Sequence, residues 1–295
     1  MTILLKKIYH FFLKSLSPIS RLKISYFRTF KKWPTLKSPK TFNEKVLHRI
    51  AYDQNPIFVQ LADKFTVRSF IESRIGSEVL IPLVLETKQP DDLLNISDWS
   101  QTVLKPNHAA GLIEIFDENP SLDVKQAAIE NAKKWLSVDF SKILDEWHYS
   151  LIEPRILLEK KITQKNEIPR DYKFHCFRQP DGSINYVLQL VDGRFGQESR
   201  AYYLNSFENC VRQHGHRPHQ LTEDEKQSLS SVLKYHDLIM GNDFKYMRID
   251  WYLIENKIYF GEITVTPGAG RAKEFGEELE KIMGDWWMDE SHILT

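Results

Sequence analysis

The sequence predicts an α+β protein, on three observations. Two capping boxes, Thr41-Phe42-Asn43-Glu44 and Thr222 with Glu225, each open a segment whose apolar residues recur at helical spacing. From residue 155 to 204 the pattern changes to short strand-like runs separated by turn chemistry such as Pro180-Asp181-Gly182. Two more strand-like runs, Met247 to Ile254 and Lys257 to Thr264, flank a tight turn around Asn256.

In chain order, Phe42, Val46, Leu47 and Ile50 give the first predicted helix its apolar stripe, because residues three and four apart share a face. Leu61 to Ile75 continues helically and stops near Gly76. Val79 to Leu85 is extended and apolar but carries Pro82, which cannot donate to a sheet ladder, so it is expected at an edge. Thr102 to Lys105 reads as a short strand, ended by Pro106 and followed by the small-residue loop Ala109-Ala110-Gly111. Asp123 to Ser137 is a predicted helix. Arg155 to Lys161, Tyr172 to Phe177, Asn185 to Val191 and Tyr202 to Leu204 are predicted strands. Leu229, Val232, Leu233 and Ile239 form the apolar face of the helix after Thr222. No internal repeat or low-complexity linker divides the chain, so its lobes are expected to pack too closely for the sequence to separate.

With 295 residues and 42% apolar content, the chain can bury a full core. Cys176 and Cys210 are too few for a disulfide framework and lack metal-ligand spacing, which fits a reducing compartment. No stretch approaches the roughly 18 apolar residues of a membrane span, and no apolar run before small residues marks a cleaved signal. The catalytic body is therefore expected to be cytoplasmic, and no nucleic-acid partner is expected.

The formal net charge is zero but unevenly placed. Residues 1 to 43 hold ten Lys or Arg and no Asp or Glu, which leaves the remainder acidic by ten. Leu5, Ile8, Tyr9, Phe12, Leu13 and Leu16 alternate with Lys6, Lys7 and Lys14 at near-helical spacing. Such a basic amphipathic segment can lie on an anionic membrane surface, here through residues 1–32, or pack on the domain as a surface helix. Both readings stay open. The chain divides into this basic segment, 1–37, and a catalytic region, 38–295.

The most informative segment runs from Arg248 to Gly268. Met247, Ile249, Trp251 and Leu253 share one face of the first strand, leaving Arg248, Asp250 and Tyr252 on the other. Ile258, Phe260, Glu262 and Thr264 are expected to share a face of the second. If the turn comprises Glu255, Asn256 and Lys257, Asp250 lies opposite Glu262 and Arg248 opposite Thr264. Directly opposed carboxylates repel. Magnesium resolves the conflict, because it takes one or two carboxylates and completes its shell with phosphate and water. A wet polar face on an ordinary hairpin is the plainer alternative.

Lys105, leaving a strand before the small-residue loop, can neutralise a phosphate that loop amides approach closely; a surface lysine before a turn looks the same. Glu159 follows an apolar run at a strand end. Lys173 lies between aromatics in a strand, where a flanked ammonium calls for a charged partner. His108 could touch a phosphate or cap the loop. Arg194 and Arg200, in a polar loop after a strand, could clamp a substrate carboxylate or simply be solvated. His214, His216 and His219 stand with Gly215 and Pro218 in an expected surface loop rather than a metal site.

The order Lys105, Glu159, Lys173, then Asp250 and Glu262 with a closing Pro267-Gly268, resembles the ATP-grasp superfamily. The phrases Lys40 to Lys45, Tyr52-Asp53, Asp63-Lys64, Lys105 to His108, Glu146 to Tyr149, Asp171 to Phe177 and Tyr259 to Gly270 resemble its TupA-like branch, named for teichuronopeptide biosynthesis. The likeness spans roughly residues 38 to 275. It implies two α+β lobes holding ATP between them, a hinge near 159–162, and the basic segment as a helical N-terminal extension.

It also implies roles. Lys105 and Lys173, with His108 beside the loop, would bind ATP phosphates, and Glu159 with the backbone of Lys160 and Ile162 would hold adenine. Asp250 and Glu262 would carry magnesium, with Thr264 where the ligase pattern has an asparagine. Arg248 would stabilise an oxyanion. Ala109-Ala110-Gly111 stands where the branch has Gly-Ser-Gly, which removes a hydroxyl and stiffens the loop. The implied activity is ligation of a carboxylate to an amine through an acyl phosphate, with an amino acid or amine joined to a cell-surface polysaccharide or its precursor near the inner membrane face. A kinase on the same fold and a non-catalytic ATP-binding module are the alternatives.

Overall fold

Two antiparallel sheets organise the chain, and the alternation of residues along each strand decides which layer covers which face. The computed structural model describes residues 15–163, 169–193, 196–215 and 220–288. Residues 1–14, which carry most of the predicted amphipathic segment, lie outside these, as do Arg194, His216 and His219.

Helix α1, Pro18–Phe30, starts on Ser17, whose hydroxyl accepts from the Ser20 amide at 3.2 Å. Pro18 suits its first position, where a missing N–H has no helical partner to lose. Helix α2, Phe42–Tyr52, begins at the predicted box, and the Glu44 carboxylate accepts from the Thr41 amide at 3.2 Å. The helix expected over Leu61 to Ile75 is broken into α3, Ile57–Ala62, and α4, Val67–Ile75.

The smaller sheet holds β1, Leu83–Thr87, β2, Thr102–Pro106, β3, Glu114–Phe116, and β4, Ile156–Lys160, in the order β1-β4-β2-β3. The proline-bearing run ends in β1, at the expected edge. Helix α5, Leu122–Leu136, sets Ala128, Ile129 and Ala132 against Leu104, Ile156 and Leu158 of this sheet, with Trp99 completing the cluster. A short helix α6, Ser141–Leu144, and a 3-10 turn, Trp147–Leu151, lead back to β4.

The larger sheet contains β5, Asp171–Arg178, β6, Ile184–Asp192, β7, Ser199–Leu204, β8, Cys210–His214, β9, Tyr246–Ile254, and β10, Lys257–Thr264. Their order is β10-β9-β5-β6-β7-β8. Strand β8 was not expected; it takes His214 out of the predicted loop, and its Nε2 lies 2.8 Å from the Glu274 carbonyl oxygen. Helix α7, Glu223–Met240, follows the second capping box, where Thr222 and Glu225 satisfy each other's amides at 2.7 and 3.2 Å. Helix α8, Gly276–Trp286, closes the described chain.

On β5, Tyr172, Phe174 and Cys176 face a layer built by α3, α4 and α7 through Phe58, Leu61, Phe70, Ile71, Leu229 and Val232. The opposite face carries Lys173 and His175 and then Phe177. Phe177, Val187, Tyr202 and Tyr246 meet Leu22 and Tyr26 of α1, Phe42 and Val46 of α2, and Leu279 and Met283 of α8. Phe42, fully buried, stands edge-on to Tyr246 at 5.3 Å and to Phe275 at 5.4 Å. Each such ring contributes about 1.5–3 kcal/mol by burial. Leu22 and Tyr26 belong to this core, so the described part of the basic segment is a packed helix.

The β9–β10 hairpin differs from expectation in a way that preserves its chemistry. Its turn has two residues, Glu255 and Asn256, with φ of 48° and 66°, so Lys257 pairs with Ile254. Two left-handed residues give the turn whose twist matches the strands it joins. A bulge at Gly261 then takes up the odd residue, and Asp250 faces Glu262 while Arg248 faces Thr264, as the sequence predicts. The expected common face of Phe260 and Glu262 is corrected by the same bulge: Phe260 pairs with Trp251 over the core, and Glu262 joins the polar face. Glycine fits this bulge because a Cβ would stand 3.1 Å from the Asp250 carbonyl oxygen and from Tyr252 Cε2.

Candidate functional site

The break between α3 and α4 delivers a side chain that sequence patterning missed. Asp63 Oδ1 accepts from the Phe65 amide at 2.8 Å and from Asn107 Nδ2 at 2.8 Å. An aspartate bonded to the backbone two residues on competes with helix continuation. Lys64 is thereby turned toward the end of β2: its amide donates to the Asn107 carbonyl at 3.1 Å and its Nζ to the Ala109 carbonyl at 2.8 Å. Buried Asn107 also accepts from the Arg155 amide at 2.7 Å and donates to the Glu153 carbonyl at 3.0 Å. These bonds lock β2, β4 and the Lys64 turn together.

Lys64 and Lys105 border a cavity of about 280 Å³ between the smaller sheet and the β9–β10 hairpin. Ile81, Val103, Ile113, Ile115 and Ile162 give it apolar walls; the Ala109-Ala110-Gly111 loop, Tyr252, Gly261 and Glu262 complete it. Lys105 Nζ lies 2.5 Å from Glu159 Oε2, and Arg68 Nη1 lies 3.6 Å from the other oxygen. Burial lowers the Lys64 pKa, against the pull of Glu262 and Glu159, and neighbouring Lys105 lowers it further. Two close ammonium groups in a concave, partly apolar site make a receptor for an anion.

Beside the cavity, Arg248 lies between the two hairpin carboxylates. Its Nε donates to Asp250 Oδ1 at 2.7 Å, and its Nη2 to Asp250 Oδ2 at 2.8 Å and Glu262 Oε1 at 2.6 Å. Lys173, opposite Asp250 on β5, donates to Asp250 Oδ2 at 2.6 Å and to Asp171 Oδ1 at 3.2 Å. Thr264 Oγ1 donates to Glu262 Oε1 at 3.1 Å. The repulsion anticipated between Asp250 and Glu262 is thus balanced by the chain's own cations. Burial alone would raise the Glu262 carboxyl, but Arg248, Lys64 and Lys173 outweigh it and bring it down to about 2. Burial would lower Arg248, and Asp250 and Glu262 raise it instead.

These residues fit a magnesium ion of the kind held by few protein ligands. Two carboxylates share one guanidinium, which marks a place where positive charge is stabilised between them. Among the described residues no group of three or more His, Cys, Asp or Glu could hold a metal, so a magnesium ion here would rest on these two carboxylates and complete its shell with phosphate and water.

The structure gathers Lys105, Glu159, Lys160, Ile162 and Glu262 at one cavity, with Arg248, Asp250, Lys173 and Thr264 linked to it through Glu262. The remaining expected residues have partners within the chain. Glu159 spends its oxygens on Lys105 and Arg68, and the Lys160 amide donates to the Pro82 carbonyl at 2.9 Å. Buried His108 turns its Nδ1 to Asn107 Oδ1 at 3.2 Å and is not among the residues lining the cavity; burial lowers its pKa. Arg200 is neutralised by Glu198 at 2.7 Å and Glu274 at 2.6 Å, which ties β7 to the Lys273–Phe275 turn and leaves no free fork for a substrate carboxylate.

Glu146 was missed as well. It is 4% exposed and accepts a short hydrogen bond from Thr266, and burial raises its pKa to about 7 despite that bond and the charges of Arg271 and Arg248. Its only sequence signal is the phrase Glu146 to Tyr149.

Two sheets with a cleft between them, cations on one wall and an acidic hairpin on the other, define an ATP-grasp protein. The sequence matches the family described as TupA-like ATPgrasp over residues 44–288, and the chain belongs to that family. Among solved structures, the L-amino acid ligase from Bacillus licheniformis is 11% identical, with a TM-score of 0.50 covering 92% of this chain and 61% of that one. The D-alanine-D-alanine ligase from Helicobacter pylori is 11% identical, with a TM-score of 0.48 over 78% of this chain and 61% of that one. The VanG D-Ala:D-Ser ligase from Enterococcus faecalis is 12% identical, with a TM-score of 0.46 over 77% and 61%. The chain thus spans about three-fifths of the length of these proteins, 61% in each case, and at such identities the likeness is one of fold. No curated protein matches the sequence.

Proposed function

We propose that the protein is a Mg-ATP-dependent ligase that activates a carboxylate as an acyl phosphate and couples it to an amine. The observation that carries this reading is the cavity in which apolar walls, Lys64, Lys105 and Glu262 meet between the two sheets. Val103, Ile113, Ile115 and Ile162 offer an adenine ring its apolar surroundings. With the Lys160 amide engaged by Pro82, the backbone donor to the ring falls to Ile162. Lys64 and Lys105 take phosphate oxygens, each charge-assisted contact contributing about 1.5–3 kcal/mol. Glu159 and Arg68 orient the Lys105 ammonium.

Asp250 and Glu262, with Thr264 beside them, would hold magnesium, whose charge would neutralise the phosphates. Lys173 adds a cation next to Asp250. A substrate carboxylate oxygen attacks the γ-phosphorus and ADP leaves; an amine nitrogen then attacks the acyl carbon and phosphate leaves. Arg248, whose Nε and Nη2 are held by Asp250 and Glu262, would turn its remaining Nη1 edge to the oxyanion of that second step.

The family and the ligases of similar fold support an amide-forming outcome over a phosphorylated hydroxyl. The carboxylate is proposed to be a sugar uronate or an amino acid, and the product a decorated cell-surface polysaccharide or precursor. The basic segment would hold the enzyme at an anionic inner membrane face. Incubation with Mg-ATP and candidate pairs tests this: ADP and free phosphate should appear in equal amounts only when both carboxylate and amine are present. A phosphorylated hydroxyl without free phosphate would establish the kinase instead.

A further inference from the structure

Helix α1 buries its apolar stripe in the protein. Ile19, Leu22, Tyr26 and Phe30, spaced three and four apart, pack on the cluster that contains Phe42, Phe177 and Leu279, so none of these side chains is left to meet a membrane. Phe27 lies off that stripe. It is exposed and stacks on Trp33, with ring centroids 4.6 Å apart and 22° between the planes.

Trp33 is held in this place by its neighbours in the chain. The helix ends on Lys31 in the left-handed conformation, φ 60° and ψ 19°, and the Lys31 amide donates to the Phe27 carbonyl at 2.8 Å. This cap turns the chain back toward α1. Beyond Trp33, Pro34 and Leu36 are buried, and the Thr35 amide donates to the Glu44 carboxylate at 3.0 Å. Lys31, Lys32 and Trp33 therefore form a tip fixed at both ends. Trp33 is 60% exposed on it and forgoes most of the burial that a ring of its size can obtain.

The surroundings of the pair are cationic. Residues 15–43 hold seven Lys or Arg and no Asp or Glu. Arg21 is taken by Asp145, but exposed Lys31, Lys32 and Lys37, all within four residues of Trp33, have no carboxylate within 4.0 Å among the described residues. The first acid of the chain, Glu44, is 6% exposed and its oxygens accept from Thr35, Lys40 and Thr41, so it pairs with none of these ammonium groups. An indole joins an apolar body to a polar N–H and settles at the headgroup level of a bilayer, where lysines meet anionic lipid. A second copy of the chain would set this acid-free run against itself and be repelled.

We propose that Phe27 and Trp33, with Lys31, Lys32 and Lys37, form an interfacial anchor that seats the protein on an anionic lipid surface. The inference rests on the proposed ligase reading for the purpose of that placement. It assigns the contact to the outer side of α1 and the tip that follows, because the apolar stripe of the helix is already covered. The anchor itself does not depend on what the enzyme joins.

Sedimentation of the full chain at low salt with vesicles of phosphatidylcholine and phosphatidylglycerol, against phosphatidylcholine alone, tests this. Wild type should bind the mixed vesicles about tenfold or more tightly than the neutral ones, and Lys32→Gln with Lys37→Gln should weaken that binding by about tenfold. Trp33→Ala should weaken it by about fivefold. Acyl chains brominated near the headgroup should quench the fluorescence of wild type, whereas Trp33→Phe should still bind and lose the quenching. Circular dichroism checks the fold of each variant; should Trp33→Ala not fold, Trp33→Phe and the lysine variant decide. Variants that bind and are quenched as wild type is would overturn the anchor and place any membrane contact elsewhere in the basic segment. A wild-type chain that does not bind anionic vesicles would overturn it as well, and a dimer that dissociates on Trp33→Ala would give the face to a second copy. Variants and wild type should bind ATP within about twofold of each other. A wild type that seats on vesicles through Trp33 and binds no ATP would remove the ligase reading and leave the anchor standing.

Discussion

Replacing Asp250 by Asn separates two accounts of the acidic hairpin. If the paired carboxylates only repelled each other, removing one charge would stabilise the protein without metal. The contacts around Asp250 reverse that sign. Its side chain, 2% exposed, accepts from Arg248 at 2.7 and 2.8 Å and from Lys173 at 2.6 Å. Asn keeps the shape, but its amide nitrogen meets a donor where an acceptor stood, and two buried cations lose a counter-charge. Removing one partner of a buried ion pair costs about 3–5 kcal/mol. Glu262 still holds Arg248 at 2.6 Å, which keeps the loss toward the lower figure. At about 2–3 °C per kcal/mol for a chain of this size, melting should fall by roughly 6–10 °C. The assay is a thermal melt in EDTA, repeated on the double variant Asp250→Asn, Arg248→Gln, which should recover part of the loss because the two groups act as a unit. An Asp250→Asn protein that melts at or above the wild-type temperature would refute the ion-pair account.

Three further outcomes follow from single features. Burial raises the Glu146 pKa from 4.5 to about 7, so the folded state holds its proton more tightly and this stability is lost as pH rises through 7. Glu146→Gln should therefore gain on wild type by about 3 kcal/mol between pH 4.5 and 8 in urea melts; a difference constant with pH would exclude this. Gly270 has φ +68°, and a Cβ there would stand 2.7 Å from Leu47 Cγ and 2.8 Å from the Asn43 carbonyl oxygen. Gly270→Ala should cost about 2 kcal/mol or more, read from the urea midpoint, and an unchanged midpoint would show that α2 can yield. Deleting residues 1–14, with Lys6, Lys7 and Lys14, should weaken sedimentation with anionic vesicles by about 1 kcal/mol per basic residue at low salt. The deletion must stop before Pro18, because Leu22 and Tyr26 are core residues. Equal sedimentation would rule the segment out as a membrane contact.

Local chemistry made most of the fold legible. Capping boxes located the starts of α2 and α7 because a side chain three residues on satisfies the same amides in any context. The smaller sheet's β2 and β4 and most of the larger sheet showed their alternation or apolar runs. The α3–α4 break was hidden because Asp63 stops the helix through Asn107, 44 residues away. Strand β8 was hidden because it is short and mostly polar, with an alternation too weak to distinguish from a loop.

In the site, the facing of Asp250 and Glu262 was legible, but by two compensating departures: a turn one residue shorter and a bulge at Gly261. Lys64 could have been found from the Asp63-Lys64 phrase, though not from periodicity, which placed it inside a helix. What a sequence cannot display is the prior commitment of charge. Glu159, Arg200 and Lys173 each looked available, and each is bonded to a partner distant in the chain.

The most direct test of the central claim is calorimetric titration of Mg-ATP into wild-type protein and into Lys64→Ala and Lys105→Ala. Each lysine removes a charge-assisted contact of about 1.5–3 kcal/mol, so each variant should bind roughly ten- to a hundredfold more weakly. Lys105→Ala also leaves Glu159 to Arg68 alone at 3.6 Å, so the fold of each variant is checked by circular dichroism before titration. Folded variants with wild-type ATP affinity, or a wild-type protein that binds no ATP, would contradict the assignment of this cleft.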